Sequence, residues 1–503
     1  MAPKKKSKPA LGDDGNKFRP ENLDKTVIAI PLLNAIEKKP KGNYHVIIDL
    51  HLDYLEGRAI AKEKVFELFE LLATMGDAQI DKDKSKLSHQ YLFANINGTL
   101  VSQLVVMDKE DKKPAIYKIW LDFEVNAFIS KSLSTVKADA ARQSFSALGE
   151  DINWAVVDSG IDFEHRHFKT HTNKHLNYHL DLSDSTTKDP FADDFGHGTH
   201  VAGIIAGEAI VPAQTNPPAD KATDPATDDL FAITKIRNEQ GEVSYEASPI
   251  SKISGMAPKC KLISIKVLND CGTGLASSLI AAIEHIQEIN GYGRDIKIHG
   301  VNLSLGYAFD PEWFACGQSP LCVEVDRLVK SGVVVVAAAG NTGYGFVSTA
   351  FNGRAASGMS LSINDPGNAE LAITVGSTHR DMPHTYGVSY FSSKGPTGDG
   401  RLKPDLVAPG EKIISCAAGS KKNKASNQVP GHGAAEYIED SGTSMAAPHV
   451  SGVIAAFLSI RKEYIGKPET IKEIFMNTAT DLKRDHYFQG KGLIDLMRAI
   501  QSI

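Results

Sequence analysis

From Leu133 to its end the chain alternates short, almost unbroken apolar runs with helical segments, and this alternation restricts the fold more than any other feature. INWAVVDSG, CKLISIKVL, IHGVNLSLG, GVVVVAAAGN, LAITVGS and DLVAPG are rich in β-branched and small residues, and most end in Gly or Asp. GTHVAGIIAG, ASSLIAAIEHIQEI and CVEVDRLVKSG have helical spacing. A strand that is apolar on both faces has to be covered on both. The pattern therefore predicts an α/β fold with a doubly wound, mostly parallel sheet. In such sheets ligands bind beyond the carboxyl ends of the strands, so the polar residues that end these runs are where chemistry is to be sought.

The preceding part reads differently. YHVIIDLH begins a strand, residues 59–75 space Val65, Leu68, Phe69 and Leu72 as an amphipathic helix, and YLFANINGTLV reads as a strand and turn. SQLVVMDKEDKK then reads as a short helix and residues 115–129 as a strand, with room for one more strand around Asp77–Lys86. This predicts a small α+β domain over residues 43–129, in the order βαββαβ. At about 85 residues it is near the lower limit for independent folding. Residues 1–42 read as a polar tail, and 130–503 as the large domain. Within the latter, 208–254 contains TNPPADKATDPATDD and reads as a surface insertion.

Composition narrows the function. A chain of 503 residues with 42% apolar residues supports a large core, and a net charge of −6 argues against a nucleic-acid partner. Lys4, Lys5, Lys6 and Lys8 read as a solvated terminus. No apolar run of about 18 residues is evident, so no membrane span is expected. No apolar run follows the basic start either, so a cytoplasmic protein is expected. Five cysteines fit a reducing compartment, with Cys316 and Cys322 close enough in sequence to bridge but better read as reduced packing residues.

Three stretches carry the parts of a nucleophilic triad. VVDSGID puts Asp158 at the end of a buried strand, DDFGHGTHVAG puts His197 between glycines at a helix start, and GTSMAAPHVSG puts Ser444 at another. An imidazole removes the hydroxyl proton, and a buried carboxylate fixes the imidazole tautomer and stabilises the imidazolium. The order Asp, His, Ser excludes an α/β-hydrolase, which runs nucleophile, acid, base. Ser444 also lacks the second glycine of G-x-S-x-G.

With these motifs and GMAPKCKLISIKVL, VNLSLG, VVVVAAAGN, FSSKGP and KPDLVAPG, the chain resembles the subtilisin-like serine proteases from about Leu133 to its end. The resemblance implies a serine endopeptidase acting on protein or peptide substrates through an acyl-enzyme. Asp158 orients, His197 is base and then acid, Ser444 attacks, and Asn341 donates to the oxyanion. It makes His200, Ser441 and Ser451 non-catalytic. It places an extended substrate between Ser304, Leu305 and Gly306 on one side and Gly272 and Gly274 on the other, with Ala338, Ala339 and Gly340 along the pocket for the side chain before the cut. It also implies that residues 43–128 are a propeptide-like inhibitor, with self-processing near Phe128. The competing reading is a catalytically silent or partner-activated binding protein that keeps the fold.

No cofactor is required by this chemistry, and no metal ligands are assigned. Many relatives hold calcium, but here His167 stands where they have an acidic residue, which leaves that site in doubt. His167, His171, His175 and His179 recur every four residues, yet LNYHLDLS reads as a strand, so a histidine-rich surface loop is expected rather than a metal face.

Overall fold

The computed structural model describes residues 27–110, 113–122, 131–211, 230–237, 243–312, 314–349, 353–428 and 436–503. The chain falls into two compact units divided at residues 126–127.

The first unit is an antiparallel sheet of β1 (Asn43–Leu50), β2 (Ala78–Ile80), β3 (Tyr91–Asn97) and β4 (Ile116–Leu121), in the order β2-β3-β1-β4. Val46, Ile48 and Leu50 alternate inward from β1. They share one core with Val65, Phe69 and Leu72 of helix Arg58–Ala73 and with Val101 and Leu104 of helix Gly98–Glu110. The structure differs from the sequence reading at two points. NGT is a helix start rather than a turn, because Asn97 Oδ1 accepts the Thr99 N–H (3.1 Å) and caps the helix. The tail is shorter than expected, because Ile28 and Leu32 join the core and Ala29 N–H donates to Ile119 O (2.9 Å). Phe128 lies outside the described residues.

The second unit is built on a seven-stranded parallel sheet. Its strands are β5 (Asn153–Asp158), β6 (Leu180–Asp181), β7 (Lys261–Lys266), β8 (Gly300–Leu303), β9 (Val334–Ala338), β10 (Ile373–His379) and β11 (Leu406–Glu411). They lie in the order β11-β10-β9-β8-β5-β7-β6, so the order reverses at β5. Both faces are apolar, as expected. Trp154, Val156, Val334 and Val336 pack toward helices His197–Ile205 and Thr443–Ile460. Ala155, Val157, Val335 and Ala337 pack toward helices Ala276–Ile289 and Pro320–Lys330.

Three further expectations are corrected. Helix Thr443–Ile460 is long and apolar enough to cross a membrane by length and composition, despite its Ser, Thr and His residues, but it is buried inside this unit at nearly every position. The insertion is not merely a surface loop. Leu230–Arg237 and Val243–Ile250 form a hairpin whose first strand pairs in parallel with Tyr437–Asp440, burying Leu230, Ala232 and Ile233. Its Pro- and Asp-rich part, residues 212–229, lies outside the described residues. Nor is the histidine-rich stretch a surface loop throughout, since His165 and His167 are buried. Cys316 and Cys322 are free, buried thiols.

Candidate active site

Asp158 is the last residue of β5, and His197 the first of helix His197–Ile205. The carboxylate is fully buried. It holds His197 Nδ1 at 2.8 Å from Oδ1 and 3.0 Å from Oδ2, and Oδ1 also accepts the Ser159 N–H (2.8 Å). With Nδ1–H committed to the carboxylate, Nε2 is the acceptor nitrogen. The approach depends on Gly198, since a Cβ there would collide with Gly160 O and press on Asp158 Cβ. The helix start has no side-chain cap of its own. Asp193 substitutes: Oδ1 accepts from Gly196 N (2.8 Å) and Ser159 Oγ (2.7 Å), and Oδ2 accepts from Thr199 N (2.8 Å). Burial raises the Asp193 pKa, and these donors oppose the rise.

Ser444 is the second residue of helix Thr443–Ile460. Its Oγ donates to Ser304 O (2.9 Å), and Ser304 Oγ donates back to Ser444 O (2.9 Å). The second bond accounts for the proline inside this helix. Pro448 has no N–H for the carbonyl four residues before it, which is Ser444 O, and Ser304 supplies the missing donor. Ser304 is itself fixed by Asn302 Nδ2 (2.8 Å), and Asn302 Oδ1 by Ser451 Oγ (2.9 Å), so a buried polar chain ties helix to strand.

Asn341 follows β9. Its Oδ1 accepts both Thr443 N–H (2.9 Å) and Thr443 Oγ1–H (3.1 Å), which sets the amide orientation and turns Nδ2 to the other side. A Cβ added to Gly442 would lie 3.4 Å from Asn341 Nδ2 and 3.7 Å from Ser444 N. The bare glycine leaves open a space beside the Asn341 amide, whose Oδ1 would lie 3.6 Å from that Cβ, and the Ser444 N–H.

A cleft of about 490 Å³ gathers His197, Gly272, Gly274, Ser304, Leu305 and Gly306. Ala338 and Ala339 are buried. Ala339 donates to Val375 O (3.0 Å), and Gly340 N–H donates to Thr443 Oγ1 (3.1 Å). These three residues brace the approach to Asn341 and are not among those lining that cleft.

With this geometry established, likeness to known proteins can be weighed. Residues 149–492, well over half of the chain, match the profile described as Subtilase family, Peptidase S8. The chain belongs to the subtilase family. It is a subtilisin-like serine endopeptidase. Serine protease AprX of Bacillus subtilis (strain 168) is 27% identical over 440 residues, covering 84% of this chain and 83% of its own. Subtilisin E of the same strain is 27% identical over 425 residues, covering 84% and 85%. Pyrolysin of Pyrococcus furiosus is 31% identical over 340 residues, 61% of this chain but 21% of its own length.

Subtilases generally need no cofactor, though many bind calcium. In this subtilase the position of the family's acidic residue does not suit that ion. His167 is 1% exposed, Nε2 approaches Gly203 O (3.2 Å), Nδ1 faces Tyr437 Oη (3.3 Å), and burial lowers its pKa to about 3. A neutral imidazole among Phe168 and Tyr437 rings is not the oxygen cage that calcium takes. The other histidines of the repeat have separate partners: His171 faces Glu208 (3.3 Å), His175 approaches Asn177 O (2.9 Å), and His179 approaches His175 O (2.7 Å). His200 is fully buried with Nε2 3.0 Å from Ile438 O.

Sequence reasoning missed Ser159, Asp193, Thr443 and the Ser304 hydroxyl. An acid shortly before a helix start was a legible signal for Asp193. The interior proline announced an orphaned carbonyl but not its donor.

Proposed function

We propose that Asp158, His197 and Ser444 are the catalytic triad of this endopeptidase and that Asn341 Nδ2 and the Ser444 N–H are its oxyanion donors. The observation that carries the reading is the commitment of His197 Nδ1 to the buried Asp158 carboxylate, which leaves Nε2 for proton transfer. Ser444 Oγ turns from Ser304 O to His197 Nε2, loses its proton there and bonds to the scissile carbonyl carbon. The carbonyl electrons move onto oxygen between the two donors. As they return, the C–N bond breaks and the imidazolium gives its proton to the departing amine. Water then repeats the sequence against the acyl-enzyme and frees Ser444.

The substrate lies extended against Ser304–Gly306 and Gly272–Gly274, where the cleft beside His197 has room for it. The first unit, with its βαββαβ order, acts as an intramolecular inhibitor that keeps the enzyme latent until the chain cuts itself near Phe128. The cytoplasm is the proposed compartment.

The test compares wild type with Ser444→Ala by fluorophosphonate labelling and intact mass. Wild type is expected to label and to shorten, while the variant does neither. Unlabelled wild type, even after limited proteolysis, would favour a silent binding protein. Equal full-length masses would reject self-processing alone.

A further inference from the structure

Asn341 lines a cleft that shares no lining residue with the one beside His197. This second cleft, of about 680 Å³, begins at Asn341 and Ser441 and is closed on its far side by Lys235, Ile236 and Val243. Those three residues belong to the inserted hairpin, so a segment that interrupts the βα alternation supplies one wall of this space.

Two lysines and two glutamates line it, and the exposed charges are the lysines. Lys235 and Lys412 are exposed, and among the described residues neither ammonium pairs with a carboxylate. Lys412 is held beside the corner, since its N–H donates to Ser441 Oγ (2.9 Å) and its carbonyl accepts from Arg380 (2.8 Å). The two acids of the cleft are less exposed than the lysines and hold other partners, although the Glu439 carboxylate also meets the Lys235 backbone and lies within reach of both ammonium charges. Glu411 accepts from Ser389 Oγ (3.1 Å), and Glu439, only 6% exposed, faces Arg380 at 4.0 Å. Exposed Ile236 and Tyr390 add apolar surface.

A substrate whose acyl part fills the first cleft, and whose carbonyl oxygen points at Asn341, continues into the second. We propose that the second cleft receives the substrate segment that follows the cut, and that Lys235 and Lys412 select an acidic side chain there. The inference rests on the triad reading above, and it makes the inserted hairpin a specificity element of the same site.

The test uses the full chain. A peptide p-nitroanilide has no amino acid after the scissile bond and reports the first cleft and the chemistry alone. Matched quenched peptides then carry Glu, Gln or Lys at the second and third positions after the cut. Glu is expected to exceed Lys by about ten-fold in kcat/KM, as a pair of partly screened charges would give. The preference should shrink as salt rises, a readout that needs no variant. In Lys235→Glu/Lys412→Glu the order should invert. Hydrolysis of the p-nitroanilide with equal rates on all peptides, or with a preference insensitive to salt and to the double variant, overturns this inference and leaves the triad reading standing. No hydrolysis of the p-nitroanilide by wild type, even after limited proteolysis, overturns both.

Discussion

Ser304 and Pro448 act as a pair. The proline withholds one N–H from Ser444 O, and the Ser304 hydroxyl replaces it at 2.9 Å. Ser304→Ala should leave a buried carbonyl without a donor and cost about 1–3 kcal/mol of stability. Pro448→Ala in that background restores an N–H and should recover much of the loss. Denaturant unfolding of all three variants checks this, and additive losses in the double variant would count against the pairing. Asn341→Ala should lower kcat about 10²–10³-fold with little change in KM, the magnitude known for the corresponding amide of subtilisin itself. Single-turnover rates are the measurement. Asp158, His197 and Ser444 are singled out in the sequence by their order, their motifs and the family resemblance, and the structure pairs Asp158 with His197 while Ser444 Oγ donates to Ser304 O. The partner of Pro448 is not legible in the sequence, since nothing local says which distant hydroxyl meets an orphaned carbonyl.

Among elements, the inserted hairpin is the one whose role changed most. Ile233 is 1% exposed and packs with Ala417 and Ile438 across the parallel pairing with Tyr437–Asp440. Ile233→Ala should therefore cost about 2–4 kcal/mol in chemical denaturation, as a core truncation does. A change within about 0.5 kcal/mol would mean that the hairpin is a loosely held loop after all. The strands of the large sheet could be read because burial on both faces forces continuous apolar runs. The hairpin could not. Its Pro- and Asp-rich neighbour reads as a loop, and its pairing partner lies far along the chain. Residues 27–38 are the part of the tail that packs, and a short helix there owes its stability to packing rather than to propensity.

At the scale of the whole molecule, four buried histidines among the described residues shape the response to acid. Burial lowers His165 and His449 to about 4, and His167 and His200 to about 3, from an ordinary value near 6.5. Between about pH 6.5 and about pH 4 the unfolded chain takes up protons that the folded chain does not. Stability is therefore full above about pH 6.5 and falls as pH drops through that window. Melting temperatures of Ser444→Ala, which on the proposed mechanism cannot digest itself, should decline steeply there. His449→Gln should flatten the slope by up to one proton, and an unchanged slope would contradict its burial in neutral form.

Helix Thr443–Ile460 has one more consequence. Its first turn carries Ser444, and the rest lies in the middle of the main core. Many binding sites sit on segments that open and close independently, so function fades before the scaffold does. Here the proposed nucleophile has no such local freedom. Heating should extinguish turnover and secondary structure in one cooperative step, and the residual rate at any temperature should serve as a gauge of the fraction of molecules still folded.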